Sequence, residues 1–485
     1  MKETENVKFL VDIESKFPVE QWNINGRFVW PIVRNIIAMH NRKEYIAKDA
    51  KSNKFSNRVY QFFEEVRIAT KFPIYNPFAK SSKSVLIFHD NYDRNILLND
   101  GSNYDRFLDP FVDCFRDKNI PILNIEQSRY SKAVKTHYSV QCLDVIFLWV
   151  RIYNILCPRK GKVYLPQYNE FLNFVPSDLK NKLTIKNIQH EVGLIDRLSS
   201  IMKFVIKAHK VKLVLFECWY DVYRLAWSLA CHDLGINAID VQHGRGGSTG
   251  HDFYTEWTKF PDNGKYEMMP NIFWTWTHAD KKAIDSWNTN IELAYNGGKP
   301  INMVIERIRK NINISNLENL SSNLPVILIT LQWGTVYPKW FINFIKENNE
   351  KYNWLIRCHP VKDVMQYNFI KDIRNISNVH IDGIENLPLE LLLEYVNVHV
   401  TSSSSVIVDA AMVGKSSIMI NQKFEKSFSK YIEKNILITA FNANALREAI
   451  KMILDKKIVN KEIVNKEKVS TDANLKYLLK LLKKK

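Results

Sequence analysis

The sequence is poor in residues that interrupt regular structure, and it has no long apolar run. Glycine and proline supply only 15 and 16 of its 485 residues, which favours long helices and strands over a succession of turns. A membrane-spanning helix needs roughly 18 uninterrupted apolar residues, and the most apolar stretch, 142–157, contains Asp144 and Arg151. The charged amino terminus also lacks the apolar core of a signal peptide. We therefore expect a cytoplasmic protein.

Cysteine is scarce as well, and several signatures of bound groups are missing. The six cysteines form no CxxC pair, a usage typical of a reducing compartment. No set of cysteines and histidines has the spacing of a zinc site. The chain also lacks the glycine-rich phosphate loops of P-loop enzymes and of dinucleotide-dependent dehydrogenases. We expect neither a bound metal nor a cofactor.

What the sequence has in excess is positive charge. Its 68 lysines and arginines outnumber 51 acidic residues, for a formal net charge of +17. An excess of this size bears on partners rather than on fold, and the candidate partners are a membrane surface, a nucleotide, an acidic polymer or a nucleic acid. No recognisable DNA- or RNA-binding motif accompanies the charge, so we expect no nucleic-acid partner.

Apolar segments divide the chain into a helical amino-terminal part and two α/β units. Residues 1–78 are rich in aromatic side chains, with an amphipathic stretch at 55–68. Short apolar runs separated by helix-length segments follow, as in a parallel sheet that is covered on both faces. In the first unit, 79–305, the candidate strands are 85–88, 121–125, 163–165, 213–216, 238–241, 272–276 and 291–295.

The second unit, 306–458, shows a regular alternation of strands and helices. Such alternation predicts a Rossmann-like domain. We therefore predict an α/β protein of the GT-B type, in which two Rossmann-like domains face a cleft. The candidate strands of this unit are 326–331, 354–358, 379–381, 396–401, 417–420 and 436–439, and the candidate helices are 338–348, 365–376, 389–395, 406–413 and 443–454.

A basic amphipathic tail, 459–485, follows the second unit. Its apolar stripe lies among lysines and consists of Leu475, Leu478, Leu479 and Leu482. Two interpretations are open: a helix that packs back on the body of the protein, or a helix that lies on an anionic membrane surface. The second would place the protein at the inner face of the cytoplasmic membrane.

Ligands of open α/β sheets bind outside the carboxyl ends of the strands, so the residues that follow each strand are the candidates for chemistry. In the second unit, Arg357, His359 and Pro360 end one strand. A guanidinium and an imidazole at this edge can bind a phosphate through charge-assisted hydrogen bonds. Gln332 and Gly334 follow another strand, and the glycine would let the backbone approach a ligand.

A run of serines ends a third strand of this unit. Ser403, Ser404 and Ser405 follow the strand 396–401 and lead directly into a helix. Hydroxyl and free N–H groups at a helix start form an anion site. Asp409 lies about one helical turn further on. Because both motifs end strands of the same sheet, they predict a clamp for the phosphates of a nucleotide.

In the first unit, three strand-end residues are candidates for a catalytic base. Asp90 and Glu217 each follow a strand, where a carboxylate could deprotonate an acceptor hydroxyl. His243 lies in the loop 242–248, whose three glycines within four positions predict a flexible loop. Its imidazole could act as a base or hold a phosphate or a sugar hydroxyl. The sequence does not choose among the three.

These motifs resemble those of the GT-B glycosyltransferases that build bacterial surface polysaccharides. The pairs at 359–360 and 404–405 are similar to the HP and SS motifs of bacterial sialyltransferases and polysialyltransferases. The segment 401–420 is similar to the helix entry of CDP-glycerol glycerophosphotransferases, and 241–244 resembles a strand-end motif of capsule proteins of the Kdo-transferase kind. The acidic catalytic motif of the sialyltransferases has no match, so the resemblance identifies no base.

The resemblance implies roles for the matching residues. In the sialyltransferase-like families the HP histidine and the SS serines hold the phosphate of a CMP-activated donor, roles that would pass to His359, Ser404 and Ser405. It implies a metal-independent glycosyltransferase of capsule or lipopolysaccharide synthesis, which moves a sugar from a CMP- or CDP-linked donor to a glycan or lipid-linked acceptor. The alternatives are a nucleotide-sugar 2-epimerase or glycerophosphotransferase on the same fold, or a non-catalytic polyanion-binding protein.

Overall fold

The computed structural model of the chain describes residues 3–47, 80–127, 135–159, 161–262, 264–287, 291–314, 317, 320, 324–359, 363–455 and 470–483. The predicted amphipathic stretch 55–68, Pro360 and the predicted domain boundaries at 78/79 and 458/459 lie outside the described residues. Among the helices that are described, none combines the length and the apolar character needed to cross a membrane.

Eighteen strands are numbered in chain order, and α-helices separate most of them. The strands are β1 Asn23–Ile24, β2 Arg27–Phe28, β3 Val85–Asp90, β4 Arg94–Leu97, β5 Asn103–Asp105, β6 Ile122–Gln127, β7 Gln141–Cys142, β8 Val163–Tyr164, β9 Leu213–Phe216, β10 Asn237–Val241, β11 Ile272–Thr275, β12 Ala294–Asn296, β13 Val326–Thr330, β14 Asn353–Arg357, β15 Val379–His380, β16 Val398–Thr401, β17 Ser417–Met419 and β18 Leu437–Thr439. The described α-helices are Glu3–Lys16, Trp30–Ala47, Asp109–Arg116, Asp144–Leu156, Tyr168–Phe174, Ser177–Lys180, Ile185–His209, Val222–Leu234, His278–Asp285, Ile305–Lys310, Lys339–Glu347, Val364–Ile373, Leu389–Tyr395, Val406–Met412, Ser429–Glu433, Ala443–Leu454 and Thr471–Lys483.

Two parallel sheets form the two predicted Rossmann-like domains. The first has the order β12-β11-β10-β9-β3-β6-β7, and the second has the order β15-β14-β13-β16-β17-β18. In each sheet the first strand along the chain lies beside the fourth, so the order reverses between β3 and β9 and between β13 and β16. A doubly wound sheet binds its ligand in the crevice at this reversal. The predicted fold class is confirmed.

Strand β3 shows why the strands of these sheets are almost continuously apolar. Successive side chains of a strand point to opposite faces of the sheet. Leu86 and Phe88 therefore belong to one core, and Val85 and Ile87 belong to the other. Strand β13 divides two cores of the second domain in the same way. Because helices cover both faces, neither face of these strands can be polar.

Residues near both ends of the chain pack on the first domain. Leu10, Trp22 and Trp30 are buried in the core on one face of its sheet. Leu478 and Leu481, from the last helix, are buried in the core on the other face. The amino-terminal helices are therefore a layer of the first domain, and the chain returns to this domain after completing the second.

The last helix, Thr471–Lys483, packs against the first domain through the apolar stripe of the tail. Tyr477 stacks on Tyr295 of the first domain with ring centroids 3.7 Å apart. Asn474 Nδ2 donates a hydrogen bond to Gly297 O at 2.7 Å. Leu478 is buried, and Leu475 and Leu482 pack beside it. The stripe faces protein, so the interpretation of a helix that lies on the membrane through these leucines is wrong.

One predicted strand has another place in the fold. The segment 163–165 supplies β8, which pairs antiparallel with β1 in a small sheet that also contains β2. The edge of the large sheet is formed instead by β7, Gln141–Cys142. An edge strand of two residues that are only half-buried needs no apolar run, and the sequence therefore carried no signal for it.

Candidate active site

The second-domain crevice lies between the residues that follow β13 and β16. Ser403 Oγ donates a hydrogen bond to Gln332 Oε1 across this crevice at 2.7 Å. Just below it, Thr401 Oγ1 donates to Thr330 O at 3.0 Å, which ties the two strand ends together. Gln332 and Ser403 were predicted from separate strand ends, and the structure makes them neighbours.

A second set of hydrogen bonds joins Gly334 to His359. Gly334 has a φ of +68°, and its N–H donates to Asp363 Oδ2 at 2.5 Å. The other oxygen of Asp363 accepts from the Gln366 N–H at 2.8 Å and caps the helix Val364–Ile373. Gln366 Oε1 in turn accepts from the His359 backbone N–H at 2.8 Å. Asp363 and Gln366 therefore position two predicted residues, and their Asp-x-x-Gln spacing resembles a capping box.

Ser404 and Ser405 lie at the start of the helix Val406–Met412, as predicted. The Ser404 N–H donates to Thr401 Oγ1 at 3.3 Å, and Ser404 Oγ accepts from the Val406 N–H at 3.3 Å. Ser405 occupies the N-cap position, but its side chain makes no capping hydrogen bond. Both serines are half-buried.

Arg357 supports a loop, which corrects its prediction as a phosphate ligand. Its Nη1 donates to the backbone oxygens of Ile384 and Leu387 at 2.8 and 2.7 Å. Burial, reinforced by the nearby positive charge of Arg106, lowers the pKa of Arg357 to about 10. A buried guanidinium that is committed to two carbonyl oxygens is poorly placed to bind a ligand.

Asp409 is likewise corrected, because it pairs with the first domain instead of lining a phosphate site. Its carboxylate forms an ion pair with Lys299 and lies 3.6 Å from Arg106. Glu390 accepts from the same two cations, at 2.7 Å from Lys299 and 3.0 Å from Arg106. Two cations of the first domain thus face two carboxylates of the second in a buried cluster, the interdomain ion cluster.

The interdomain ion cluster keeps the carboxylate of Glu390 ionised. Burial by itself would raise the pKa of Glu390, but Arg106 and Lys299 outweigh burial and lower it to about 2. Nearby, the guanidinium of Arg245, in the loop after β10, lies 6.0 Å from the ring centroid of Phe428 in the second domain. Residues beyond the strand ends of both sheets are therefore in contact.

The first-domain crevice contains a close pair of carboxyl groups. Glu217 follows β9 and lies beside Asp93, from the turn after β3. Burial, with the charges of Asp93 and Asp105, raises the pKa of Glu217 well above its ordinary value. Burial, with the charges of Asp105 and Asp90, raises the pKa of Asp93 to about 7. Glu217 therefore holds its proton more tightly than an ordinary glutamate, and Asp93 exchanges its proton near neutral pH.

Sequence reasoning missed Asp93 and named its neighbour Asp90. Asp90 lies 3.6 Å from Arg224 Nη2, and the fully buried Arg224 also donates to Gln127 Oε1 at 2.8 Å. The ion pair with Arg224 makes Asp90 a poor base. The spacing Asp90-x-x-Asp93 was a visible signal, but only the turn after β3 shows which carboxylate meets Glu217.

His243 lies beside this pair. Its Nε2 is 3.3 Å from both Tyr220 Oη and Cys218 Sγ. Below it, Asp240 accepts from Tyr254 Oη at 2.9 Å, and burial raises the pKa of Asp240 to about 8. The structure thus places His243, Glu217 and Asp90 around Asp93, and Asp90 also pairs with Arg224.

The glycine-rich loop is held in place, which corrects the prediction that it is flexible. A Cβ at Gly246 would lie 2.3 Å from Asp280 Oδ1, and one at Gly247 would lie 2.3 Å from the backbone oxygen of Tyr254. The same Asp280 oxygen accepts from the Ser248 N–H at 3.0 Å. The glycines permit close approach by the protein itself, and this packing fixes the position of the loop.

Metal ligation finds no support in the part of the chain that the structure describes. No group of three or more His, Cys, Asp or Glu side chains there could hold an ion. Metal and cofactor independence stay predictions. The two crevices can supply neutral hydrogen-bonding groups on one side and groups that exchange protons near neutral pH on the other.

The sequence matches no protein-family model and no curated protein. Similar solved structures include a UDP-GlcNAc 2-epimerase of Neisseria meningitidis bound to UDP-GlcNAc, at 12% identity and a TM-score of 0.47, with 82% of this chain and 99% of that chain covered. The Methanocaldococcus jannaschii UDP-GlcNAc 2-epimerase in complex with UDP-GlcNAc and UDP is 15% identical, with a TM-score of 0.46 and the same coverage. A Streptomyces glycosyltransferase is 10% identical, with a TM-score of 0.31, and 82% of this chain and 95% of that chain are covered. Likenesses this distant assign neither substrate nor reaction.

Proposed function

We propose that the protein is a nucleotide-sugar-dependent glycosyltransferase whose acceptor hydroxyl is activated in the first-domain crevice. The observation that carries the proposal is the Asp93–Glu217 pair, because a carboxylate with a pKa of about 7 is suited to general base catalysis at neutral pH. The pair follows strands of one Rossmann-like sheet, and the two domains are joined by the interdomain ion cluster and by the contact of Arg245 with Phe428.

The proposed mechanism divides the work between the domains. The donor nucleotide lies against Gln332, His359 and the serines that follow β16, and these groups stabilise the leaving phosphate. The acceptor hydroxyl lies against Asp93, which takes its proton beside the carboxyl group of Glu217. The motif resemblance supports a CMP- or CDP-linked donor and a surface-polysaccharide acceptor.

A nucleotide-sugar 2-epimerase is the second candidate. Glu217, whose pKa is raised well above its ordinary value, next to Asp93, whose pKa is about 7, places two proton-exchanging groups side by side, which is also what proton exchange at a sugar carbon needs. Incubation of a nucleotide sugar in deuterium oxide without acceptor separates the two. Deuterium in the recovered sugar favours the epimerase, and transfer that requires an added acceptor favours the glycosyltransferase.

Binding of nucleotides tests the second-domain crevice first. We expect CMP or CDP to raise the melting temperature of the wild type, because a ligand at about 100 times its Kd adds about 2.7 kcal/mol to the native state. The panel also contains UMP, UDP, GDP and ADP. His359→Ala should lose the shift, and His380→Ala, a histidine at the end of the edge strand β15, should keep it. A shift with uridine nucleotides alone would contradict the donor class, and no shift with any nucleotide would favour the non-catalytic protein.

A further inference from the structure

The helix Asp144–Leu156 exposes a wide apolar face. Trp149, Tyr153 and Leu156 are 66%, 57% and 73% exposed, and Ile155 beside them is 67% exposed. Residues at i, i+4 and i+7 share one side of a helix, so three of these side chains form a single stripe. Large apolar side chains that are exposed singly need no explanation, whereas a contiguous group on one helix marks an interaction surface.

The opposite side of this helix is firmly attached to the first domain. Phe147 and Asn154 are buried, and Arg197 of the long helix Ile185–His209 donates to Asn154 Oδ1 at 2.7 Å. The guanidinium of Arg197 also lies 4.7 Å from the ring centroid of Tyr153. The exposed stripe is therefore presented by a rigid element, and fraying of the helix does not explain its exposure.

The residues that follow the stripe in the sequence carry charge of one sign, and the acidic residues next to them in space, Glu191 near Arg151 and Asp196 at 3.5 Å from Arg159, belong to the helix Ile185–His209. Between Asp144 and Glu170 the sequence has no acidic residue, and its four basic residues there are Arg151, Arg159, Lys160 and Lys162. Arg151, Arg159 and Lys162 are exposed. Tryptophan and tyrosine among apolar side chains, bordered by lysine and arginine, is the composition of a surface that enters the interface of an anionic bilayer.

We propose that this face, Trp149, Tyr153, Ile155 and Leu156 together with its basic border, docks the protein on an anionic lipid bilayer. A helix of 13 residues is about 20 Å long, too short to span a bilayer, so it lies along the surface. The proposal goes beyond the proposed function and does not depend on it.

The position of the helix in the first domain decides where a docked bilayer would lie. The helix follows β7, and β7 is parallel to the strands whose carboxyl ends carry Asp93 and Glu217. Its first residues therefore lie on the same side of the sheet as the first-domain crevice, two strands away from β3, and a bilayer on the exposed face would lie along this edge of the first domain. The lysines of the last helix are the competing lipid contact, although its leucines are buried in protein.

Co-sedimentation of the full chain with vesicles tests the proposal. We expect binding to vesicles of phosphatidylglycerol and phosphatidylcholine in equal parts and little binding to pure phosphatidylcholine. The double substitution Trp149→Ser with Tyr153→Ser should lower the partition coefficient about tenfold or more, since interfacial aromatic side chains anchor such surfaces. Arg151→Gln with Lys162→Gln should lower it by roughly 30-fold, at about 1 kcal/mol per charge.

Two matched controls keep the test specific. Tyr367→Ser removes an aromatic side chain of the second domain that is also 67% exposed, and Lys480→Gln with Lys483→Gln removes two charges of the last helix. Both should bind like the wild type. The proposal is overturned if the wild type does not bind anionic vesicles. It is also overturned if the Trp149/Tyr153 variant binds as well as the wild type, or if the Lys480/Lys483 variant loses binding. If the wild type is a dimer and the Trp149/Tyr153 variant is a monomer, a second copy of the chain covers this face instead of a bilayer.

Discussion

The two crevices share a topology and differ in chemistry. In both domains the first and fourth strands of the sheet lie side by side, so both crevices form at the same place in the fold. The first-domain crevice holds Asp93, whose pKa is about 7, and Glu217, whose pKa is raised well above its ordinary value. The second-domain crevice presents Gln332 and Ser403, which form hydrogen bonds without titrating. Topology decides where a ligand lies, and side chains decide what each domain does to it.

Two glutamates show how neighbouring charges set the pKa of a buried carboxyl group. Glu217 and Glu390 are both buried, so both pay the same kind of desolvation cost. Glu217 meets other carboxyl groups, and its pKa rises well above the ordinary value. Glu390 meets Lys299 and Arg106, and its pKa falls to about 2. Burial alone therefore does not predict protonation, because the sign of the neighbouring charges decides it.

Removal of the proposed base should have the largest effect of these substitutions, and the effect is on the catalytic rate. Asp93→Asn should lower kcat roughly 100- to 10,000-fold, because general base catalysis is lost. The wild-type rate should rise with pH, reach half its maximum near pH 7 and level off about one unit higher, since only ionised Asp93 accepts a proton. This rise should disappear in the variant. The measurement is a pH profile with the nucleotide sugar that the binding panel selects.

Asp100→Asn is the control for this prediction. Asp100 is an exposed acid of the same domain, and its substitution should leave both the rate and the pH profile unchanged. An Asp93→Asn variant that keeps the rate and its rise with pH would mean that the carboxyl pair is not the base.

Breaking the interdomain ion cluster should reveal the link between the two crevices. Glu390→Gln leaves two buried cations with a single carboxylate, Asp409, and should lower the free energy of unfolding by roughly 3 kcal/mol. Glu394→Gln is the control, because the pair of Glu394 with Arg309 is partly exposed and should contribute less than about 1 kcal/mol. Urea unfolding measures both. Equal stabilities would show that the cluster does not hold the domains together.

A methyl group in the glycine-rich loop tests whether protein packing fixes the first-domain crevice. Gly247→Ala places a Cβ 2.3 Å from the Tyr254 backbone oxygen and should cost roughly 1–3 kcal/mol. Gly244→Ala meets nothing within 4 Å and should be close to neutral. The melting temperatures of the two variants give the comparison, and a harmless Gly247→Ala would mean that the loop is free to move.

The last prediction concerns the change of the unfolding free energy with pH, which is gradual. The pKa of Asp240 is raised to about 8 by burial, so the folded state keeps a proton that the unfolded state has lost above about pH 4. This contribution is fully present at low pH and is lost as the pH rises through 8, with a slope of at most about 1.4 kcal/mol per pH unit. Asp240→Asn should flatten the profile of unfolding free energy between these values. An unchanged profile would show that Asp240 is already ionised when folded.

Residue patterns located most of the fold and part of the site. The predicted bounds agree with the structure for the strand 213–216 and for the helices 389–395 and 443–454. A fully apolar strand or a strongly amphipathic helix can be recognised from its own hydrophobic pattern. Polar edge strands such as β7 carry none. The residues that follow predicted strands included Glu217 and His243 of the first-domain crevice. They also included Arg357 and Asp409, which are polar residues near strand ends whose partners in the structure are other protein groups.

The sequence by itself determined the number and order of the α/β units, since alternating apolar strands and amphipathic helices can bury their faces in few other ways. Only the tertiary structure decided which charged residues meet. Asp93 acquires a pKa near 7 because the turn after β3 brings it to Glu217. Asp409 becomes a structural anion because Lys299 reaches it from the other domain. Electrostatic interactions depend on distance and burial, and neither is written in the order of residues along the chain.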